Sequence, residues 1–223
     1  VRAKGSERGR PEVLRLGYGV KFNSEQPFRG SHGSVLIDRS EGVSYGQREV
    51  LMNLVMTGAG SVSGEYNDLV QALTPLSEHT GPAELQLDRF SDLVLASQFA
   101  EGNSRPLFEY ELIYYPLSTS DGTAEGLKLP QPDSVIGTPI TDLGTDKESY
   151  RWNFMIQNNE REDNYDRLIA LGQTFALSDA DFLAETPAII DVDQWLRAFA
   201  FATLSGAVDN YGSDSSQHNA QFY

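Results

Sequence analysis

Apolar residues alternate with polar or small residues along the first half of the chain, and this period of two is typical of β-strands. The longest example runs from Leu14 to Phe22, where every second residue is apolar. Shorter examples are Val35–Ile37, Glu84–Asp88 and Phe108–Tyr115. The β-branched and aromatic side chains in these runs also favour strands. We therefore expect a mainly antiparallel sheet in this half of the chain.

A single helix is predicted between these strands. Residues Tyr45–Thr57 have helical spacing and are followed by Gly58, a residue type that is common where helices end. One face of this helix carries Val50, Leu51, Leu54 and Val55. Glu49 and Asn53 are the main polar interruption on the opposite side, so the pattern predicts a helix that is buried on two sides.

The period of the apolar residues becomes helical after about residue 160. Asp163–Phe175 is the first helix predicted in this part of the chain. Two further helices are predicted from capping boxes, in which a polar side chain caps the helix and an acid or amide follows three residues later. These boxes are Ser178 with Asp181 and Asp191 with Gln194. The last helix is expected to end at Gly206.

Together these patterns predict an α+β fold in two lobes. Residues 1–115 form a β-rich N-lobe with one helix, and residues 150–223 form a mainly helical C-lobe. Residues 116–149 are assigned to a linker region, because Pro, Gly, Ser and Thr are frequent in its first part. Asp92–Phe99 fits neither period, and Tyr150–Ile156 is expected to be extended.

The chain has 223 residues, 39% of them hydrophobic, and a formal charge of −15. This length allows a real core in one bilobal domain. The negative charge repels phosphate backbones, so nucleic acid is not expected as a partner, although solubility alone explains the same charge. No apolar run approaches the about 20 residues that span a bilayer, so no membrane insertion is expected. Because the sequence begins with Val1, we expect it to be a piece of a longer protein.

The candidate chemistry lies near the C-terminus, in the segment that follows the last helix. Asp209 comes three residues after Gly206, and His218 and Asn219 precede a short predicted strand. Phosphoryl transfer uses such groups, because a carboxylate orients the attacking hydroxyl and an amide oxygen holds a metal without adding charge. The alternative is that Asp209 only ends the helix in a solvated turn, since Asp and Asn favour turns. His218 is interpreted as a turn residue.

The same region resembles the core motif of the CotH family, the spore-coat-protein-H-like atypical kinases. The resemblance rests on DVDQWLR at 191–197, LSG at 204–206 with Asp209, and HN at 218–219 followed by Tyr223. In the first half, RAKGSERGR at 2–10 is similar to the family's basic loop, LRLGYGVKF at 14–22 to its following strand and GQREVLMNLVMTGAG at 46–60 to its helix. The resemblance therefore covers nearly the whole chain.

The resemblance implies an atypical protein-kinase-like fold, with ATP bound between a β-rich lobe and a helical lobe. It implies that Lys21 contacts the nucleotide phosphates and that Glu49 pairs with it from the helix. The basic loop adds nucleotide-binding residues, namely Ser6, Arg8 and Arg10. Asp209 corresponds to the catalytic carboxylate, and Asn219 corresponds to a ligand of magnesium or manganese.

The residue types alone do not decide which residues bind the nucleotide. Lys21 is also interpretable as a surface lysine, and Glu49 as part of a solvated helix face. Lys4 in the basic loop and Lys128 in the linker compete with Lys21 for the phosphate-binding role.

The chain departs from the family pattern in two respects. The family continues into an Asp-x-Asp stretch that binds the metal, which we expect beyond Tyr223. Without that stretch, metal binding is expected to be weak and phosphate transfer inefficient. In addition, the polar loop YGSDSSQ makes the spacing from Asp209 to Asn219 longer than in protein kinases, and Asp214 adds a carboxylate to it.

The predicted function is therefore transfer of phosphate from ATP to Ser or Thr hydroxyls of a protein substrate. The family resemblance implies that the kinase and its protein substrate are exported or lie at the cell surface. One alternative is a non-catalytic surface or coat module that keeps a kinase-like scaffold. Another is an acidic domain that binds calcium through Asp142–Asp146 or Asp209–Asp214, although no EF-hand loop is present.

Overall fold

The computed structural model divides the chain into two compact units, Val1–Gly102 and Asn103–Tyr223. The residues that it describes are 1–4, 17–38, 47–60, 64–77, 80–87, 92–110, 113–114, 135–136, 140–151, 154–206, 211 and 220–223. The N-lobe was predicted to end at residue 115, whereas the first compact unit ends at Gly102. The predicted strand at 108–115 therefore belongs to the second unit.

The first unit is built on a five-stranded antiparallel sheet. Its strands are β1 (Arg2–Lys4), β2 (Gly17–Lys21), β3 (Ser34–Asp38), β4 (Tyr66–Ala72) and β5 (Gly81–Leu87). Their order across the sheet is β1-β2-β3-β5-β4. Helix α1 (Gln47–Ala59) connects β3 to β4, and helix α2 (Asp92–Gln98) follows β5. The predicted antiparallel sheet that carries one helix between its strands is confirmed.

The core of the first unit lies on one face of this sheet. Val35 on β3 is opposite Leu87 on β5, and Ile37 is opposite Leu85, so these four side chains share a face. The side chains that pack against the buried members of this group are Val20, Phe22, Phe28, Ile37 and Val70. Strands β3 and β5 thus contribute alternate residues to the core, as the period of two predicts.

Helix α1 differs from its prediction in burial. It was expected to be buried on two sides, yet the exposed fractions of Leu51, Leu54 and Val55 are 58%, 66% and 50%. The reason is its position, because α1 packs along β4, an outer strand of the sheet. A single strand covers only part of a helix, so much of the apolar circumference of α1 stays open in the described part of the unit.

The second unit combines short strands with helices. Its main sheet has three antiparallel strands in the order β10-β6-β9, where β6 is Phe108–Tyr110, β9 is Phe154–Ile156 and β10 is Ala220–Phe222. A two-stranded ladder joins β7 (Ile113–Tyr114) to β8 (Val135–Ile136). The helices are α3 (Glu148–Arg151), α4 (Asp166–Phe175), α5 (Asp179–Ile189) and α6 (Val192–Ser205). The fold class of the chain is therefore α+β, as predicted.

The helix boundaries follow the predicted capping signals only in part. The Asp191 carboxylate accepts a hydrogen bond from the Gln194 backbone at 3.0 Å, so this predicted cap is confirmed. Ser178 instead donates its hydroxyl to the Asp181 carboxylate and makes no side-chain bond to the helix backbone. Gly206 ends α6 with φ of 70°, in the left-handed region that glycine adopts without strain. Tyr150–Ile156 was expected to be extended. Tyr150 and Arg151 instead belong to α3, whereas Phe154–Ile156 form β9 as predicted.

Helix α4 approaches a neighbouring segment so closely that it requires a glycine. A Cβ atom added to Gly172 would lie 2.5 Å from the carbonyl oxygen of Thr141. The same segment is held by the Tyr150 hydroxyl, which accepts from the Leu143 amide at 2.9 Å and donates to the Gly144 carbonyl at 3.1 Å. Because the atom in contact is backbone, it cannot swing away as a side-chain end could.

We expect Gly172→Ala to destabilise the second unit by about 1–3 kcal/mol, because the new methyl group forces the helix and the Thr141 segment apart. Denaturant unfolding measures this loss. The matched control is Gly58→Ala in α1, where an added Cβ meets nothing within 4 Å. That change should be neutral or slightly stabilising. A Gly172→Ala protein as stable as the unsubstituted chain would contradict the close packing.

Candidate functional site

The charged residues of the DVDQWLR run have local roles in α6. Asp191 caps the helix, as described above. Asp193 accepts a hydrogen bond from Arg197 Nε at 2.6 Å, one turn further along the helix. These contacts fix the start of α6, so this part of the family-like motif is explained by helix formation.

The apolar member of the same run, Trp195, points into an aromatic cluster. Its ring centroid lies 5.8 Å from that of Phe222 on β10 and 6.2 Å from that of Tyr211. Tyr211 also lies 6.0 Å from Tyr110 on β6, and Phe222 lies 6.3 Å from Tyr110. Helix α6 and strand β10 are therefore packed into one aromatic cluster.

Segment 207–219 joins α6 to β10, and Tyr211 is the residue of this segment that the structure describes. It begins where α6 ends at Gly206, and it leads into β10, which pairs with β6 so that Phe222 is opposite Phe108. Tyr211 is partly buried within the segment, and burial raises the pKa of its hydroxyl, although the Ile140 backbone partly offsets this. The predicted residues Asp209, His218 and Asn219, together with Asp214, lie outside the described residues.

The predicted nucleotide residues are only partly described. Ser6, Arg8 and Arg10 lie outside the described ranges. Lys21 is exposed at the end of β2, and Glu49 is partly buried in the first turn of α1.

The expected ion pair between Lys21 and Glu49 is not formed among the residues the structure describes. The physical reason is the sheet order. Helix α1 packs on β4, and β3 and β5 separate β4 from β2. Three inter-strand steps amount to about 14 Å.

A different lysine pairs in the sheet with β2, which contains Gly17 and Gly19. In the register of the sheet, Lys4 on β1 is opposite Gly17, and Arg2 is opposite Gly19. Gly17 is itself buried within the sheet. Lys4, the last residue of β1, is therefore paired with a glycine, which has no side chain.

The acidic turn at Asp142–Asp146 is occupied by local hydrogen bonds. The Asp142 carboxylate accepts from the Gly144 amide at 2.8 Å, and the Asp146 carboxylate accepts from the Glu148 amide at 3.0 Å. Within the described ranges, no group of three or more His, Asp and Glu side chains is placed to hold a metal ion. The second acidic turn, Asp209–Asp214, lies almost wholly outside those ranges.

Sequence reasoning missed a cluster of charges before α4. Asp163 accepts two bonds from Arg151, at 2.7 and 2.8 Å, and one from Lys147 at 2.6 Å. Arg151 also pairs with Glu148 and lies 5.2 Å from the centre of the Tyr165 ring. These hydrogen bonds hold the pKa of the Asp163 carboxyl well below its ordinary value of 3.8. The i,i+4 spacing of Lys147 and Arg151 was the available signal, since it places both cations on one helix face.

The same turn is tied to the start of the second unit. Asn158 accepts from the Leu107 amide at 2.6 Å and donates to the Arg105 carbonyl at 3.1 Å. Asn159 donates to the Asn103 carbonyl at 2.7 Å. The loop between β9 and α4 is therefore a structural clamp and lies apart from the predicted catalytic residues in the sequence.

Comparison with protein-family models, with curated proteins and with solved structures finds no match for this chain. A search of the described helices for one long and apolar enough to cross a membrane finds none.

Asp163→Asn should make stability less dependent on acid pH. A carboxyl whose pKa is lowered by folding stabilises the protein above its ordinary value of 3.8, and this contribution is lost as the pH falls through the lower folded value. The unsubstituted protein should therefore exceed the variant in stability at neutral pH, and the difference should shrink below about pH 5. Urea unfolding at a series of pH values measures it.

The control for this experiment is Asp166→Asn, which removes a carboxylate three residues away that makes no ion pair in the described part of the chain. It should leave the pH dependence nearly unchanged. An equal effect of the two substitutions would show that the Arg151 and Lys147 contacts of Asp163 carry no special weight.

Proposed function

We propose that the protein is a CotH-like atypical kinase that transfers phosphate from ATP to Ser or Thr hydroxyls of an exported or surface protein. One observation carries this proposal. The segment with Asp209 and Asn219 connects α6 to β10, and the rings of Trp195, Tyr211 and Phe222 pack together. Tyr211 is two residues from Asp209 in the sequence, and Phe222 is three residues from Asn219. Binding and catalytic residues often lie in segments that connect the elements of a packed scaffold.

The chemistry requires such positioning more than it requires reactive groups. In phosphoryl transfer, catalysis comes almost entirely from alignment and charge stabilisation. Asp209 would orient the attacking hydroxyl and accept its proton. Asn219 would supply one neutral oxygen to magnesium or manganese, which normally takes one or two carboxylates as well.

The helix of the first unit follows β3, but the lysine that protein kinases carry on their third strand is absent from β3. In protein kinases a lysine of the third strand pairs with a glutamate of the helix that follows. Here α1 follows β3 and carries Glu49 in its first turn, but β3 reads SVLID and contains no lysine. Lys21 is on β2 and does not pair with Glu49. We therefore propose Lys4, opposite Gly17, as the phosphate-binding lysine, assisted by Ser6, Arg8 and Arg10.

The decisive experiment measures transfer from labelled ATP, with magnesium or manganese, to a generic Ser- and Thr-containing protein by the full-length protein from its own gene. Asp209→Ala should lower the rate by about 100-fold or more, because a positioned proton acceptor contributes about that much. Asn219→Ala should raise the concentration of magnesium or manganese that phosphate transfer requires.

Glu185→Ala is the matched control, since it also removes one carboxylate but from an exposed position on α5. It should leave the rate unchanged. An active protein in which Asp209→Ala has no effect would support the alternative that Asp209 only ends the helix. A protein that neither binds ATP nor transfers phosphate would favour the non-catalytic surface module.

The lysine assignment is tested separately by nucleotide affinity. Lys4→Ala should weaken binding of ATP by about tenfold or more, because a charge-assisted contact to phosphate is lost. Lys21→Ala should have little effect, because this side chain is exposed and does not reach Glu49. Calorimetric titration with a non-hydrolysable ATP analogue and magnesium gives both values. The reverse ranking would return the role to Lys21.

A further inference from the structure

A row of residues crosses the sheet of the first unit on the face that is opposite its apolar core. Lys4 on β1 is paired with Gly17 on β2. Tyr18 on β2 is paired with Ile37 on β3. The next step of this antiparallel ladder brings Gly17 level with Asp38, the last residue of β3. Ile37 packs against the core, and successive residues of a strand alternate between the two faces, so the row lies on the other face.

A buried carboxylate continues this row on the next strand. Asp38 is paired with Glu84 on β5, which is only 2% exposed. The Asn67 side chain on β4 donates a hydrogen bond to the Glu84 carboxylate. Like charges directly opposite each other destabilise a sheet, and a buried charge is costly unless it is compensated. A cation on the same face would therefore stabilise the pair of Asp38 and Glu84.

Lys4 is the basic residue of this row. It is separated from Asp38 by two inter-strand steps, about 10 Å, and the position between them is Gly17, which has no side chain. The flexible four-carbon stem of a lysine is long enough to lean across a glycine towards an aspartate. Glu84 is a third step away, about 14 Å, so it acts on Lys4 through Asp38. Lys21 shares this face but is four residues along β2 from Gly17, about 13 Å away.

We infer that Asp38 is a positioning residue, which holds the ammonium group of Lys4 over Gly17. The inference rests on the proposed function, in which Lys4 binds the nucleotide phosphates. An ammonium group that is held before the nucleotide arrives loses less side-chain entropy on binding. Asp38 needs no contact with ATP for this role, which the sequence resemblance had given to Glu49.

The sign of the effect on nucleotide affinity separates positioning from simple repulsion. In the full-length protein, Asp38→Asn should weaken binding of a non-hydrolysable ATP analogue with magnesium by about three- to tenfold, because Lys4 must then be ordered on binding. A carboxylate that only repelled the phosphates would give the opposite result, since its removal would strengthen binding. Asp38→Glu keeps the charge and should retain most of the affinity. Unchanged or tighter binding in Asp38→Asn would overturn the inference.

The matched control is Asp68→Asn, which removes a carboxylate from the other face of the same sheet. Asp68 on β4 is paired with Leu85 of the core, and it accepts a hydrogen bond from Arg29 at 3.0 Å. This substitution also breaks an ion pair of a strand residue, so it accounts for general destabilisation. It should leave nucleotide affinity nearly unchanged in calorimetric titration. Equal weakening by Asp38→Asn and Asp68→Asn would contradict a specific role of Asp38.

A double-mutant cycle shows whether Asp38 acts through Lys4. In the Lys4→Ala protein, Asp38→Asn should weaken nucleotide binding no further. Arg2→Ala removes a cation from the same strand and face, one row away and opposite Gly19, and Asp38→Asn should keep its full effect there. If Asp38→Asn weakens binding equally with and without Lys4, the positioning role is refuted.

The same cycle measured by urea unfolding without nucleotide is independent of the kinase proposal. Asp38→Asn should lower the urea midpoint of the unsubstituted protein. In Lys4→Ala it should leave the midpoint unchanged or raise it, because the repulsion from Glu84 is then no longer offset by Lys4. Equal shifts in both backgrounds would overturn the inference. Coupling in this cycle, together with no ATP binding by the unsubstituted protein, would keep the contact between Lys4 and Asp38 and overturn the kinase proposal.

Discussion

The aromatic cluster of the second unit is the interaction on which its other features depend. Tyr110 on β6 stacks on Phe154 of β9 at 4.9 Å, and both rings contact Phe222 of β10. Each of these strands has only three residues, which is too short for backbone hydrogen bonds alone to hold a sheet. Each buried aromatic ring removes about 150–250 Å² from water, and ring pairs add about 0.5–1.5 kcal/mol beyond that.

The cluster also determines which residues become neighbours. Strands β6, β9 and β10 lie far apart in the sequence, and Trp195 of α6 contacts Phe222 of β10. The cluster of charges around Asp163 and the close packing at Gly172 then hold α4 against the same core. The buried members of this core include Tyr165, Leu168 and Leu171. Polar and backbone contacts refine an arrangement that apolar burial has already selected.

Local sequence patterns predicted the helices and strands better than they predicted which of these elements pack together. The alternation in β2, β3 and β5, the Asp191 cap and the end of α6 at Gly206 depend on residues close in sequence, and they were predicted correctly. The assignment of Phe108–Tyr110 to the second unit depends on Phe154 and Phe222, which no local pattern indicates. The exposure of α1 has the same origin, because its apolar residues do not reveal that β4 is an outer strand.

The candidate site was predicted on weaker grounds than the fold. Residue types and a family resemblance suggested Lys21 and Glu49, but the sheet order separates β2 from β4, the strand on which α1 packs. Sequence spacing contains no information on how many strands lie between two residues. The Asp191 cap was predicted from its capping box, whereas the ion pair of Asp193 with Arg197 and the aromatic partners of Trp195 were not.

The charge distribution bears on the proposed nucleotide site, because an acidic protein repels phosphate groups in general. The chain has 17 basic and 32 acidic residues, but residues 2–10 contain Arg2, Lys4, Arg8 and Arg10 with Glu7 as the only acid. Charges are screened over about 8 Å at physiological salt, so a small triphosphate beside Lys4 and Gly17 would respond chiefly to these cations. A long polyanion would extend beyond that distance and meet the acidic remainder of the surface. Residues 2–10 are the most basic stretch of the sequence, so the proposed phosphate site includes residues whose charge favours phosphate.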